Sequence, residues 1–260
     1  MNIRIKIIVP TLNSYHKVGR LVSSLISQTY ENWELVFVDG NSIKKHKNLL
    51  LSYANQDDRI SILNQETKNK GIFGAMNQGF SLPEDNSWIL FWGSDDWLPN
   101  QKILHDLITY LKSCRDQNQL CDLLICNARY VNFNSLKLLR KSKFYFFRNL
   151  RFSLFLGFSP PHQACLISPN LRKYLKTYDE NLSLTADLNY FLKISMKKDL
   201  IIKLFDYEMI HLGSDGESRR NNCKRIKQVF ICYWNAFGIC FFVPFILRYF
   251  FRFVSLLKAF

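Results

Sequence analysis

Apolar positions in the first half of the chain follow two alternating rhythms. Residues 3–10 form a short, almost continuous apolar run rich in β-branched side chains and closed by Pro10, the pattern of a buried strand. Val18, Leu21, Val22, Leu25 and Ile26 then recur at helical spacing. Residues 33–38 predict a second strand ending at Asp39-Gly40, and Leu49, Leu50, Tyr53 and Ala54 predict the helix after it. Residues 60–63 read as a third strand, 74–80 as a short helix, and 88–92 as a fourth strand that stops at Gly93-Ser94-Asp95-Asp96. Ile103, Leu104, Leu107, Ile108 and Leu111 mark the next helical face. Strand and helix alternate through residue 127, which predicts an α/β fold with a mainly parallel sheet covered on both faces.

Beyond Asn127 the rhythm breaks. A basic aromatic stretch at 137–158 leads to Pro160-Pro161-His162-Gln163, a strand at 164–167 and a helix around 187–196. With no internal repeat or low-complexity linker, the chain reads as one continuous fold in two halves, 1–127 and 128–218, followed by a basic aromatic helical tail, 219–260.

Composition narrows the classes. Apolar residues make up 48% of the 260, with only 10 Gly and 7 Pro, enough to build a core and to exclude fibrous and disordered chains. The net charge of +14 is one-sided: residues 1–100 hold 10 basic and 10 acidic side chains, so the whole excess lies beyond them. From 123 to 178 there are ten Lys and Arg and no acid, and after Glu217 eight more without an acid. Such a field attracts phosphates of a nucleotide, a nucleic acid or an anionic membrane. The seven cysteines are odd in number and lack paired spacing, as expected of reduced cytosolic thiols, and the first residues carry no apolar signal-peptide core, so a cytosolic start is expected.

Ligands of open parallel sheets sit beyond the carboxyl ends of the strands. The sequence places Pro10-Thr11-Leu12-Asn13 after the first strand, Asp39 after the second and Asp95-Asp96 after the fourth. No GxGxxG follows the first strand, which argues against a dinucleotide dehydrogenase. Paired carboxylates at a strand end suit a Mg2+ or Mn2+ ion shared with substrate phosphates, although Asp-Asp in a loop, or Asp before Gly, is also a common turn or cap.

In order along the chain, IIVPTLNS, WELVFVDGNS, NKGIFGAMNQGF, ILFWGSDD, PPHQACLI, TADLNYFLKI and HLGSDGES resemble the motifs of a family 2 glycosyltransferase of the GT-A fold, in the bacterial branch that builds surface polysaccharides. The resemblance runs from about residue 5 to 218 and makes 1–127 the nucleotide-sugar half and 128–218 the acceptor and catalytic-base half. It implies that Thr11 and Asp39 hold the nucleotide base, with Pro10 also in the donor site, that Asp95 lies near the ribose, that Asp96 binds a divalent metal (Mg2+ or Mn2+), and that Asp187 is the catalytic base of an inverting transfer. It also offers Lys70 as a donor phosphate contact, His162 as an acceptor contact and His211 as a pyrophosphate or metal contact. The alternatives are a solvated lysine and hydrogen-bonded structural histidines. Arg219 and Arg220, in a loop begun at Gly213 and Gly216, would face the diphosphate or a membrane. The chain departs from the branch at Lys44, where an Asp is usual, at Asn69, where an acid is usual, and at Gly74, in place of the Asp of IYDAM.

Residues 229–247 are 19 uncharged positions interrupted by Asn235, Gly238 and Pro244, with basic residues on both flanks. That combination favours a helix lying in a membrane interface over a packed core helix or a span. The expected function is therefore metal-dependent transfer of a sugar from a nucleotide-diphosphate donor to a saccharide or polyprenyl-linked acceptor, with the protein peripheral on the cytoplasmic face of the inner membrane. The rivals are a basic nucleic-acid-binding protein and a catalytically inactive assembly partner. The balanced charge of the first 100 residues argues against a nucleic-acid partner, and the intact Asp96 and Asp187 argue against an inactive homologue.

Overall fold

A computed structural model describes residues 3–82, 86–117, 119–213 and 221–257, with side chains through 254. The first half follows the predicted rhythm: β1 (Ile5–Thr11), α1 (Val18–Ile26), β2 (Trp33–Asp39), α2 (Lys44–Gln56), β3 (Ile60–Asn64), α3 (Gly71–Phe80), β4 (Trp88–Phe91) and α4 (Ile103–Asp116). The second contains β5 (Leu123–Val131), β6 (Leu138–Ser142), α5 (Leu150–Phe155), β7 (Cys165–Ile167), α6 (Pro169–Tyr174), α7 (Ala186–Ile194) and β8 (Ile202–Gly213), and the tail contains α8 (Asn222–Phe237) and α9 (Phe242–Leu257).

The strands form one mixed sheet in the order β3-β2-β1-β4-β7-β5-β6, with β8 paired to β5. β3, β2, β1 and β4 run parallel, and β7 is antiparallel to both β4 and β5. β5 and β8 therefore point the same way as β1, and the start of β7 lies beside the end of β4. This reversal brings His162 and Gln163, just before β7, to the carboxyl ends of the parallel strands, where the Trp92 indole N–H donates to the Gln163 carbonyl at 3.0 Å.

The period of two along each strand divides the core. Ile5, Ile7 and Val9 of β1 pack on one face with Leu21 and Leu25 of α1, Leu50 of α2, and Leu104 and Leu107 of α4. Ile8 turns to the other face, among Phe80 of α3, Leu154 of α5, Phe191 of α7 and Tyr233 of α8.

Two elements differ instructively from expectation. β5 runs straight through residues 127 and 128, but its register with β8 shifts between Ile125 and Ala128, so the lost rhythm marks an irregular pairing rather than the end of a strand. β8 is 12 residues long and carries Lys203, Asp206 and Glu208. Those charges hide it from a search for apolar runs.

Gly238, at φ 54, separates α8 from a 3-10 turn at Gly238–Phe241 and then α9. Rings of Phe230 and Phe245 meet at 6.2 Å and Arg248 reaches Tyr233, so the two helices fold back on each other. The stretch Asn222–Val254 is apolar enough to cross a bilayer as one helix, yet each arm has 16 residues, about 24 Å at 1.5 Å per residue, short of a hydrocarbon core of about 30 Å. Val229, Cys232 and Tyr233 of α8 are buried in the core, whereas Phe242, Ile246, Phe250 and Phe253 form an exposed apolar row on α9.

Candidate active site

Register alone brings the first two site residues together, because Thr11 and Asp39 are Cα partners at the last positions of β1 and β2. Both are buried. One Asp39 carboxylate oxygen accepts the Ser42 N–H at 3.0 Å, and the other, Oδ1, is buried with no hydrogen-bond partner among the described residues. Pro10, the preceding β1 position, pairs with Val38. The Gly40 N–H donates to the Thr11 carbonyl at 2.9 Å, and Asn13, at φ 53, accepts the Ile43 N–H at 2.8 Å, so the two strand-end loops hold each other.

Sequence reasoning missed His46. It is fully buried, with Nε2 2.9 Å from Thr11 Oγ1 and 3.9 Å from Asp39 Oδ1. Burial pulls its pKa down, against the opposing charge of Asp39, so the imidazole is neutral at pH 7. The sequence did carry a signal: His46 lies one turn before Leu50 on the inner stripe of α2.

After β4 the backbone turns through Gly93 and presents two buried carboxylates. Asp96 accepts the Gly93 N–H at 2.6 Å and the Gly213 N–H, from the end of β8, at 3.3 Å. Asp95 sits 3.5 Å from Lys17 Nζ. Backbone bonds in both directions between Trp97 and His211 fasten this loop to β8. Glycine is required at 213, where a Cβ would lie 2.6 Å from Asp95 Oδ2 and 2.7 Å from its carbonyl oxygen. Burial first, then the Asp95 charge, push the Asp96 carboxyl well above the usual carboxylate range, against the two N–H bonds and Lys17. A divalent cation between the two carboxylates would relieve that strain, so this donor set fits a hard metal ion. No group of three or more His, Cys, Asp or Glu gathers here among the described residues. His211 is held by Glu208, at 2.9 Å, and by the edge of the Trp97 ring.

Asp187 lies half-buried in the first turn of α7, where the helix dipole favours a carboxylate. α8 fixes that turn: Gln228 accepts the Leu184 N–H at 2.9 Å, and Cys232 Sγ lies 3.6 Å from Thr185 Oγ1. His162 is buried between these parts, stacked on Phe91 and 2.7 Å from the Tyr178 hydroxyl. Burial lowers its pKa, while Asp187 acts in the opposite direction. Lys70 is exposed at the start of α3, and its backbone N–H donates to Glu180 at 3.1 Å. The Asp of IYDAM is excluded at 74 because a Cβ there would lie 2.4 Å from the Asn69 carbonyl carbon. Gly216, Arg219 and Arg220 lie outside the described residues.

The structure thus gathers Thr11, Asp39, Asp95, Asp96, His162 and Gly213 at one end of the sheet, with α7, which carries Asp187, against His162 through Phe191, and leaves Lys70 at the surface. An open, mainly parallel sheet with paired carboxylates beyond its fourth strand is the arrangement of GT-A glycosyltransferases. The chain belongs to glycosyl transferase family 2, whose family model matches residues 6–177.

Among its relatives, the chain is 35% identical over 98 residues to UDP-Glc:alpha-D-GlcNAc-diphosphoundecaprenol beta-1,3-glucosyltransferase WfgD of Escherichia coli, covering 37% of each chain. It is 28% identical over 222 residues to glycosyltransferase GlyA of Streptococcus pneumoniae serotype 4, covering 82% of this chain and 27% of GlyA. The matches therefore span about a third of the length of these relatives. In fold, it is similar to S. aureus TarS, with a TM-score of 0.69 at 19% identity over 95% of this chain and 72% of that one. It is also similar to the mannosyltransferase PcManGT of Pyrobaculum calidifontis in complex with GDP-Man and Mn2+, with a TM-score of 0.66 at 14% identity over 100% of this chain and 73% of that one.

Proposed function

We propose that this chain is an inverting, divalent-metal-dependent glycosyltransferase that moves a sugar from a nucleotide-diphosphate donor to a saccharide or lipid-linked acceptor in surface-polysaccharide assembly. The observation that carries the reading is the placement of Thr11, Asp39, Asp95 and Asp96 at parallel strand ends, with α7, whose first turn carries Asp187, beside His162 through Phe191. Solved GT-A relatives hold UDP-GlcNAc, or GDP-Man with Mn2+, and WfgD by its name acts on a diphosphoundecaprenol-linked sugar.

In this reading Asp39 Oδ1 accepts an N–H of the nucleotide base, and Thr11, oriented by His46, lines the same pocket. Asp95 meets the ribose. Asp96 holds a Mg2+ or Mn2+ ion, which when bound supplies positive charge to the leaving diphosphate. Asp187 takes the proton of the incoming acceptor hydroxyl as that oxygen attacks the anomeric carbon from the face opposite the leaving group, which inverts the centre. His162, spent on Tyr178, braces the wall beside Asp187. Thermal-shift screening of nucleotide sugars with Mn2+ tests the reading, since a bound donor stabilises the fold by mass action. One nucleotide class is expected to raise Tm and to be turned over, and a flat response to every nucleotide sugar would contradict it.

The protein is proposed to lie on the cytoplasmic face of the inner membrane, held by the exposed apolar row of α9 and by the exposed Lys224 and Lys227 of α8. Replacing Ile239, Ile246 and Phe253, exposed by 80%, 61% and 61%, with Ser is expected to abolish co-sedimentation with phosphatidylglycerol vesicles while leaving the melting curve intact. Undiminished sedimentation would place the contact elsewhere.

A further inference from the structure

At the amino end of β8, opposite the strand ends assigned above, lies a cavity of 690 Å3. It is enclosed by α5 and the segment before it, by the segment that joins α7 to β8, and by the last turn of α8. Its size is that of a small-molecule site, for which about 300–1,000 Å3 is usual. Its chemistry is divided. Phe155 and Phe237, with rings 5.2 Å apart, belong to an apolar wall, and Arg148, Arg151, Lys197 and Lys198 supply positive charge. No Asp or Glu is among the described residues that line it.

Two of the four cations are already engaged. Lys197 Nζ lies 3.0 Å from Asp122, and Arg151 donates to the Ala236 carbonyl at 2.7 Å while lying 4.8 Å over the Phe237 ring. Arg148 and Lys198 are exposed, and neither has an ion pair or a side-chain hydrogen bond among the described residues. Arg148 also holds a left-handed backbone, at φ 53, which costs an arginine more than a glycine or an asparagine. Such a cost, kept in the lining of a basic cavity, is consistent with use of the side chain.

The surroundings select the ligand. Phe152, Met196 and Ile201 also line the cavity and are exposed, so apolar side chains border its opening. Directly after Phe237 the chain turns at Gly238 into the elbow between α8 and α9, where Ile239 is exposed. A free phosphate gains nothing from apolar walls. A phospholipid does, because its phosphate takes guanidinium and ammonium hydrogen bonds while its glycerol and first methylenes cover the aromatic surface.

We propose that this cavity binds the headgroup of an anionic phospholipid, with the phosphate at Arg148 and Lys198 and the chains leaving beside the α8–α9 elbow. The proposal rests on the peripheral-membrane reading and adds a defined lipid site to it. The outer row of α9 supplies adhesion, and the cavity selects the headgroup.

The test is calorimetric titration of the full chain with dihexanoyl phosphatidylglycerol below its micelle concentration, a monomeric lipid that offers α9 no surface to lie on. Wild type is expected to bind it and to leave dihexanoyl phosphatidylcholine unbound. Arg148→Asn with Lys198→Gln should weaken binding by about 10- to 100-fold, the range for losing charge-assisted hydrogen bonds. Its Tm should not fall, because asparagine suits the backbone at 148. Met196→Glu should weaken binding too, since Met196 Sδ lies 2.7 Å from Arg151 Nη1 and a carboxylate there competes with the lipid phosphate. Ile239→Ser with Ile246→Ser and Phe253→Ser should bind the monomer as wild type does. The proposal is overturned if the Arg148–Lys198 pair binds undiminished, if phosphatidylcholine binds equally, which makes the cavity an unselective apolar pocket, or if inorganic phosphate binds as tightly, which makes it a soluble-anion site. Wild type that sediments with phosphatidylglycerol vesicles but ignores the monomer also overturns it, and leaves the peripheral-membrane reading standing. Monomer bound through Arg148 and Lys198 by a protein that sediments with no vesicle would sink the membrane reading and keep the lipid site.

Discussion

Asp96→Asn is expected to abolish sugar transfer while leaving the fold intact. The substitution removes the charge that a divalent ion needs, at a place where the backbone delivers two N–H groups, from Gly93 and Gly213, to the same side chain. An amide can accept one of those bonds and must turn its NH2 toward the other, a mismatch worth about 1–3 kcal/mol. Burial and Asp95 already oppose ionisation of Asp96, so the neutral amide also relieves a charge penalty and offsets part of that loss. The melting temperature should therefore move little. Turnover near the wild-type rate in excess Mg2+ or Mn2+ would refute the metal assignment.

Asp187→Asn should lower turnover by two to four orders of magnitude, about the range for a positioned general base, with donor affinity unchanged. Asp187 sits on α7, apart from the β1 and β2 residues proposed to hold the nucleotide, and its turn is held by Gln228 and Cys232 of α8. An isosteric amide should thus leave the geometry in place and remove only the proton acceptor. Donor titration and single-turnover rates separate the cases. Collapse of donor affinity with surviving turnover of bound donor would make Asp187 a binding residue.

The strand-end residues were legible because a parallel sheet puts chemistry where apolar runs stop: Thr11, Asp39 and Asp95-Asp96 each follow such a run and meet at one end. His46 was legible in principle, from its place on the Leu50 stripe, but a single histidine on a helix carries no sign of the carboxylate it faces. β8 was not legible, because a strand with solvated charges on one side shows neither a continuous apolar run nor clean alternation. Nor was the role of the tail. Its apolar composition reads equally as membrane contact and as core, and the structure shows α8 contributing Val229, Cys232 and Tyr233 to the core while α9 exposes its outer row. The close fit of α9 on Gly157, where a Cβ would lie 2.6 Å from the Arg248 nitrogen, depends on the α8–α9 fold-back, which no local pattern encodes.

In the proposed reading a nucleoside diphosphate lies across the carboxyl ends of β1, β2 and β4. A crystal of the full chain soaked with Mn2+ and the nucleoside diphosphate of its active donor tests this directly. Density for the base against Thr11 and Asp39, with the diphosphate at Asp95 and Asp96, is the predicted result. Density instead in the basic cavity of 690 Å3 at the opposite end of the strands, lined by Arg148, Arg151, Lys197 and Lys198, would contradict it.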